Sequence, residues 1–410
     1  MKQKTIALID GNNFFASCEI LMNPSLKGKA VCVLSNNDGC VVARSNEAKK
    51  MGIAMGMPYF MAKRSFPDAV YLSADFSLYH ELSQRMISFL RNYSEKIDVY
   101  SIDEAFIDIT GLDKLLKMSF EDIAKKIKSE IETNVGVSVS VGIANSKVLA
   151  KTAAYKAKKL AGTYIINKDN IYSELTNLPI EEIWGIGKNT ARSLRKYGIF
   201  YANEIILKDD EFFRYNFGKK GLEFKYELMG ESVIPLTGIV EKPKSIQRTR
   251  AFSEFSSDKN YIMTELEFHL HNVCKKLREN DLKTSIIYVM LRTKDFKVFV
   301  NEMKLDFSTD SELILVKRVK KLFESIYDKN IIYRSSGIYA GLLNQEDESQ
   351  LNLFDIHNKD VKQREISSVL DKMEDKYGTG IISVGSLGIK EIQKKHTRRC
   401  SLRSFNYFGL

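Results

Sequence analysis

Hydrophobic and polar positions divide the first 165 residues into strand and helix periods. The run "TIALID", Thr5 to Asp10, is apolar over the length of a strand and is closed by an acid. "VYSIDEAFIDIT", Val99 to Thr110, alternates apolar and polar residues and predicts a strand pair bent around Asp103, while "VSVSVGI", ending at Ile143, predicts another strand. Between these, Phe120, Ile123, Ala124, Ile127 and Ile131 recur at helical spacing with Lys125, Lys126 and Lys128 on the other side, so Phe120 to Glu132 predicts a helix packed by one face. A further helix is expected from Ser146 to Lys159. The order predicts an α/β (α+β) unit, a βαββαβ sheet with helices on one side. The stretch from Pro24 to about Ala74 has its own glycines and prolines and reads as an insertion.

From about Asn170 to Leu236 the pattern becomes one of short helices, and "LPIEEIWGIGKNTARSLRKYGI" sets a Gly-Ile-Gly turn between helical segments, a helix-hairpin-helix signature. "EKPKSIQRTR" carries Lys242, Lys244, Arg248 and Arg250 against a single acid and reads as a basic connector. Beyond it, Tyr261 to Leu282 predicts a helix and "TSIIYVMLRT" a strand, giving a second small α/β unit that ends near Leu343. The remainder opens polar at Asn344.

At 410 residues the chain exceeds one compact core, and 44% hydrophobic with 28% charged residues describes a globular protein. A formal net charge of +10 favours a polyanionic partner such as nucleic acid. The five cysteines, Cys18, Cys32, Cys40, Cys274 and Cys400, show no CxxC spacing, which fits reduced thiols and a cytoplasmic location. No apolar stretch reaches the roughly 18 residues that a membrane span requires. The expectation is a protein neither secreted nor membrane-spanning.

Adjacent residues on a regular strand face opposite ways, so Asp103 and Glu104 converge on one ion only if the chain bends there. If the strand ending at Asp10 lies beside that bend, three carboxylates meet at one sheet edge. Their repulsion is relieved by divalent cations; Mg²⁺ is held by a few carboxylates together with substrate phosphates, and a pair of such ions serves phosphoryl transfer.

"SIDEAF" after a hydrophobic strand, together with "LIDGNNFFASCE", "LSNNDGCVVARSNEAKKMGI", "VGIANSKVLAKTAAYKAKK" and "WGIGKNTARSLRKYGI", resembles the Y-family translesion DNA polymerases of the UmuC/ImpB/MucB/SamB type over essentially the first 345 residues. The resemblance implies a ferredoxin-like palm (1–23 and 75–168), inserted fingers (24–74), a helical thumb with the helix-hairpin-helix (169–238), a basic linker (239–250), a little finger (251–344) and a tail (345–410). It implies that Asp10, Asp103 and Glu104, with the Gly11 carbonyl, hold two Mg²⁺ ions. Phe15 stands where the family keeps an aromatic gate against the sugar 2'-hydroxyl, with Phe14 beside it near the triphosphate. This branch often has Tyr at the gate. Lys49 and Lys158, with Asn46, occupy the positions of the dNTP contacts; other branches use Tyr and Arg in the fingers motif. Lys151, Lys156 and Lys159 read as solvated lysines of the same helix. Primer-template DNA is expected against Gly185, Gly187, Lys188, Arg248 and Arg250, where backbone N–H groups and cations face phosphates.

"QLNLF" supplies Gln350, Leu351, Leu353 and Phe354 and resembles the pentapeptide by which bacterial polymerases dock on the sliding clamp. The UmuC likeness further suggests SOS accessory proteins as partners. Two other readings stay open at this point: a nucleotide cyclase on a similar sheet, and a non-catalytic DNA and clamp binder.

Overall fold

The structure, a computed structural model, describes residues 4–35, 38–236, 238, 242–345, 366–367, 369–374 and 376–377. Two units are present, one N-terminal to residue 240 and one from residue 241 onward. The first opens with β1 (Ile6–Gly11) and α1 (Phe14–Met22), then passes through β2 (Val31–Leu34), β3 (Val41–Arg44), α2 (Asn46–Lys50), α3 (Tyr59–Ser65) and β4 (Val70–Ser73). It returns with α4 (Phe76–Leu90), β5 (Ile97–Val99), β6 (Glu104–Asp108), α5 (Leu112–Leu116), α6 (Phe120–Asn134), β7 (Val139–Ala144), α7 (Lys147–Lys159) and β8 (Thr163–Ile165). Helices α8 (Ile171–Leu175), α9 (Lys188–Lys196), α10 (Ala202–Leu207) and α11 (Asp210–Leu228) complete the unit.

The main sheet has the order β5-β6-β1-β7-β8, with β1 antiparallel to both β6 and β7. This is the βαββαβ connectivity expected, extended by β8. The expectation of helices on one side only does not hold. Ala7, Ile9, Ile107, Val139, Val141 and Ile143 pack against α4 and α6 on one face, while Ile6, Leu8 and Phe106 pack against α7 and the later helices on the other. The reason lies in β1 itself: "IALI" is apolar at every position, so both of its faces need cover. Gly142 of β7 sets how closely α7 approaches, because a Cβ there would run into the backbone of Ala150 and Ala154.

The stretch between α1 and α4 builds its own sheet, β3-β2-β4, over a small core that includes Cys32, Leu34, Val41, Ile53 and Ala62. The described cysteines Cys18, Cys32, Cys40 and Cys274 are all free thiols.

The second unit comprises β9 (Ile246–Ser256), α12 (Lys259–Glu279), β10 (Leu282–Thr293), β11 (Val298–Thr309), α13 (Glu312–Ile326) and β12 (Tyr333–Gln345). Its antiparallel sheet, β11-β10-β12-β9, is covered by α12 and α13 through Leu266, Leu270, Val273, Leu315, Val319 and Phe323. Two sequence readings shift here. The helix expected to reach Leu282 ends at Glu279, and Asp281 turns the chain with φ 52° so that Leu282 begins β10. Arg248 and Arg250, read as connector, lie within β9 and pair in register with Ile338 and Ser336 of β12. The charged run masked a strand whose inward residues are Ile246 and Phe252. Residues 369–374 form a helical stretch tied to α12: Arg278 grips Asp371 through Nε at 2.6 Å and Nη2 at 2.8 Å. The segment "QLNLF" lies outside the described residues.

Candidate active site

The ends of β1 and β6 coincide. In the antiparallel register Asp10 stands directly opposite Glu104, and the β5–β6 hairpin closes around Glu104, whose carbonyl accepts from the N–H groups of Tyr100 and Ser101 at 3.0 and 3.2 Å. Asp103 sits in the bend just before β6, and its carbonyl accepts from Gly11 N–H at 2.8 Å. One residue before its strand begins, the chain has turned enough to bring the Asp103 backbone beside β1. The Asp103 carboxylate itself accepts from the Ser101 hydroxyl at 2.6 Å. The expected meeting of three carboxylates is therefore realised for Asp10 and Glu104 alone, and no group of three His, Cys, Asp or Glu side chains forms a metal-type cluster among the described residues.

Asp10 is only 3% exposed. Glu104 opposite it is half-buried, and two carboxylates so placed require compensation, which comes from α7. Lys151 reaches between the two acids, 3.5 Å from Asp10 Oδ2 and in contact with Glu104 Oε1. Lys158, two turns further on, lies 2.7 Å from Asp10 Oδ1, an oxygen that accepts no well-aligned hydrogen bond among the described residues. Burial, and after it the Asp10 carboxylate, push the Glu104 carboxyl up, with Lys151 opposing. The donors are hard carboxylate oxygens, buried, mutually repelling and already holding cationic groups, so the residues present fit a divalent cation.

The reading of Lys151 as a solvated lysine is corrected by this placement. Its signal was in the sequence: Lys147, Lys151 and Lys158 follow one another at helical spacing on one face. Lys147 is buried and pairs with Asp98 and the Pro235 carbonyl. Lys156 pairs with Glu174. The N-terminal end of α7 is held by Glu227 of α11, which is fully buried and accepts from Val148, Val233 and Ile234 N–H groups at 3.2, 2.8 and 2.9 Å.

The loop "GNN" joins β1 to the remaining positions. Asn12 exchanges hydrogen bonds with Ser138 and Ser140, and Asn13, at φ 49°, donates to the Asn46 side chain at 2.9 Å, linking the start of α1 to α2. Lys49 follows on α2; burial first, then the neighbouring cations Arg44 and Lys158, lower its pKa. Arg44, absent from the sequence reading, thus neighbours Lys49, as does Lys158, and of these three cations Lys158 is the one in contact with Asp10 among the described residues. Its guanidinium donates to the Ile53 carbonyl, while its Nε is buried and unpartnered among the described residues.

Phe15 is half-buried, stacked on Tyr79 at 4.3 Å with an interplanar angle of 14° and met edge-on by Phe76. Phe14 is different. At 3% exposure its ring belongs to the core, tilted against Phe15 at 6.2 Å and packed beside Gly11. Successive helix residues point about 100° apart, and here Phe14 takes the core side while Phe15 stays half-buried.

A cleft of about 270 Å³ opens beside the acids, lined by Lys151, Tyr155 and Lys158 on one side and by Glu181, Glu182 and Trp184 on the other. Trp184 meets Tyr100 edge-on at 5.3 Å, and the Tyr100 ring in turn faces the Lys151 ammonium at 5.8 Å. Next in the chain, Gly185 has φ 91° and carries the Phe224 ring against its Cα, where any side chain would collide. Gly187 is the N-cap of α9 and no side chain of its own supplies a cap. Lys188, Arg192 and Arg195 follow on that helix, with Arg195 paired to Glu181 at 2.5 Å. In the second unit, Arg248 lies over the Phe268 ring of α12 at 5.1 Å, and both Arg248 and Arg250 neighbour Glu265.

Residues 9–155 match the impB/mucB/samB family, and residues 243–353 match the C-terminal domain of that family. The chain is 32% identical to Protein SamB of Salmonella typhimurium over 89% of each chain, and 31% identical to Protein UmuC of Salmonella typhimurium strain LT2 over 94% of each. It is 31% identical to DNA polymerase IV 1 of Bacillus subtilis strain 168, covering 96% of this chain and 95% of that one. Among solved structures, a Y-family DNA polymerase chimera of Dbh and Dpo4 matches with TM-score 0.70 and 28% identity, over 83% of this chain and all of that one. An insertion ternary complex of Dbh DNA polymerase matches with TM-score 0.56 and 26% identity over the same share of this chain, 83%. Y-family polymerases are nucleotidyltransferases that generally use divalent metal ions. With both of its units matched and relatives aligned over nearly its whole length, the chain belongs to the impB/mucB/samB family and is a Y-family, UmuC-type DNA-directed DNA polymerase of translesion synthesis.

Proposed function

We propose that nucleotidyl transfer in this polymerase takes place at the shared end of β1 and β6. The observation that carries the assignment is the cross-strand pair of buried Asp10 and half-buried Glu104, compensated by Lys151 and Lys158. Two Mg²⁺ ions would be held by Asp10, Glu104, the Gly11 carbonyl and, once released from Ser101, Asp103. Bound there, they supply the charge that activates a primer 3'-hydroxyl and stabilises the leaving pyrophosphate oxygen. The chain's own residues do the rest. Lys158, Lys49 and Arg44 receive the triphosphate charge as it replaces their present partners, with Asn46 and Asn13 fixing the start of α2. Phe15, supported from behind by Tyr79, sets the floor under the sugar and excludes a 2'-hydroxyl by bulk.

In the same reading, 1–23 with 75–168 is the palm, 24–74 the fingers, 169–238 the thumb and the second unit the little finger. The Gly185–Gly187 turn with Lys188 approaches a duplex backbone, and Arg248 and Arg250 add sequence-independent contacts from β9, both salt-dependent. "QLNLF" docks on a sliding clamp, and SOS accessory proteins regulate the enzyme in a bacterial cytoplasm. Primer extension across an abasic site tests the catalytic core. Asp10→Asn and Glu104→Gln are expected to abolish Mg²⁺-dependent incorporation while primer-template DNA still binds. Near wild-type turnover by either variant would refute the site.

A further inference from the structure

Lys151 holds a position that a divalent cation must also occupy. Its ammonium lies between Asp10 and Glu104 and contacts an oxygen of each. A buried and a half-buried carboxylate facing each other across adjacent strands repel in a setting of lowered dielectric, and one ammonium offsets much of that repulsion. A metal ion bound to the same oxygens would meet the ammonium at close range, like charge against like. The two cannot share the site. A second seat for the ammonium is present beside the acids: the Tyr100 ring faces it at 5.8 Å, within the range of a cation–π contact. Lys151 is 23% exposed, so it is also free to turn toward the cleft.

We propose that Lys151 is a built-in counter-ion that stabilises the metal-free active site and is displaced from the Asp10–Glu104 pair when a divalent cation enters. It thereby sets the affinity for that cation and keeps the sheet edge folded between catalytic cycles. The proposal rests on the assignment of Asp10 and Glu104 as metal ligands. Lys158 does not serve in the same way, because it touches Asp10 alone and at 37% exposure is the more solvated of the two. The helix that carries Lys151 is fixed from behind, leaving only the side chain to move: α7 is seated against β7 at Gly142 and held at its start by Glu227 and by the Lys147–Asp98 pair.

The displacement has an optical reporter. Trp184 is the chain's one tryptophan, and it packs against the Tyr100 ring that faces Lys151. Moving an ammonium relative to Tyr100 alters the field at the indole, so adding a divalent cation to the wild type changes Trp184 emission.

The test uses the full chain without DNA or nucleotide, titrated with Mn²⁺ and followed by the electron paramagnetic resonance of free Mn²⁺, with thermal melting in EDTA and in saturating Mn²⁺. Lys151→Met keeps the length of the side chain and removes its charge. It is expected to bind Mn²⁺ tighter by about tenfold or more, to melt lower than wild type in EDTA, and to gain more from Mn²⁺. It should also lose the cation-induced change in Trp184 emission, whereas Lys151→Arg keeps near wild-type behaviour in all of these. If Lys151→Met folds only with Mn²⁺ present, that dependence supports the proposal equally. Wild-type binding that survives Asp10→Asn would refute the carboxylate assignment itself, and the counter-ion role with it. Wild-type binding that requires Asp10, combined with equal or weaker binding by Lys151→Met, would leave the assignment standing and overturn the counter-ion role. Aggregation of Lys151→Met with and without Mn²⁺ would also overturn it, making Lys151 plain scaffold.

Discussion

His271 on α12 is held between two acids, and the stability of the second unit should follow its charge. Nδ1 lies 2.9 Å from Glu312 and Nε2 3.0 Å from Glu374, with Lys275 also 3.7 Å from Glu374. The hydrogen bond to Glu312 raises the imidazolium pKa, burial opposes, and Glu374 adds to the rise, bringing it from 6.5 to about 9. A folded-state pKa above the unfolded one means that the folded unit holds this proton more tightly. Its contribution is fully present below about pH 6.5 and is lost as the pH rises through about 9. A shift of about 2.5 units corresponds to about 3 kcal/mol, or roughly 300-fold in the unfolding constant. Hydrogen exchange of α12 amides in the full chain, corrected for intrinsic rates, should show protection falling between pH 6.5 and 9. In His271→Gln that slope should vanish, since Gln carries no charge in this range. Equal protection at pH 6.5 and 9.5 in the wild type, or the same decline in the variant, would refute the reasoning.

Two residues earlier, His269 is fully buried with neither ring nitrogen partnered among the described residues, and burial, then Arg248 and Arg250, hold its pKa down to about 3. A depressed folded pKa is lost stability as pH falls below 6.5, about 1.4 kcal/mol per unit; His269→Leu should flatten the acid side of a urea-midpoint profile, and an unchanged profile would count against it. Phe15→Ala removes the ring stacked on Tyr79 and should raise ribonucleotide incorporation by about tenfold or more, measured as the ratio of kcat/KM for dNTP and rNTP; an unchanged ratio returns Phe15 to the core. Leu353 and Phe354 contribute about 1.5 to 3 kcal/mol each if both enter a clamp pocket, so replacing both by Ala should spare extension on a bare primer and remove stimulation by the clamp. Equal stimulation would show that "QLNLF" is not the docking segment.

Local pattern carried a good part of this protein. The apolar run closed by Asp10, the alternation around Asp103 and the one-sided periodicity of α6 depend on neighbours in sequence, because strand and helix geometry repeat over two and 3.6 residues. They were sufficient for the βαββαβ order, whereas Asp10 meeting Glu104 stayed conditional on their two strands being neighbours, which the register supplies. The helical spacing of Lys147, Lys151 and Lys158 was equally available, although spacing names a face of the helix without naming what lies opposite. Only the tertiary structure decided that. The close approach of α7 at Gly142 and the second covered face of β1 put Lys151 over the acids; composition alone made it one more solvated lysine among 62 basic residues. The choice between Phe14 and Phe15, the hold of Ser101 on the Asp103 carboxylate and the entry of Arg248 and Arg250 into β9 belong to the same class. Each is settled by what stands across a sheet or against a helix, a distance in space that periodicity along the chain does not encode.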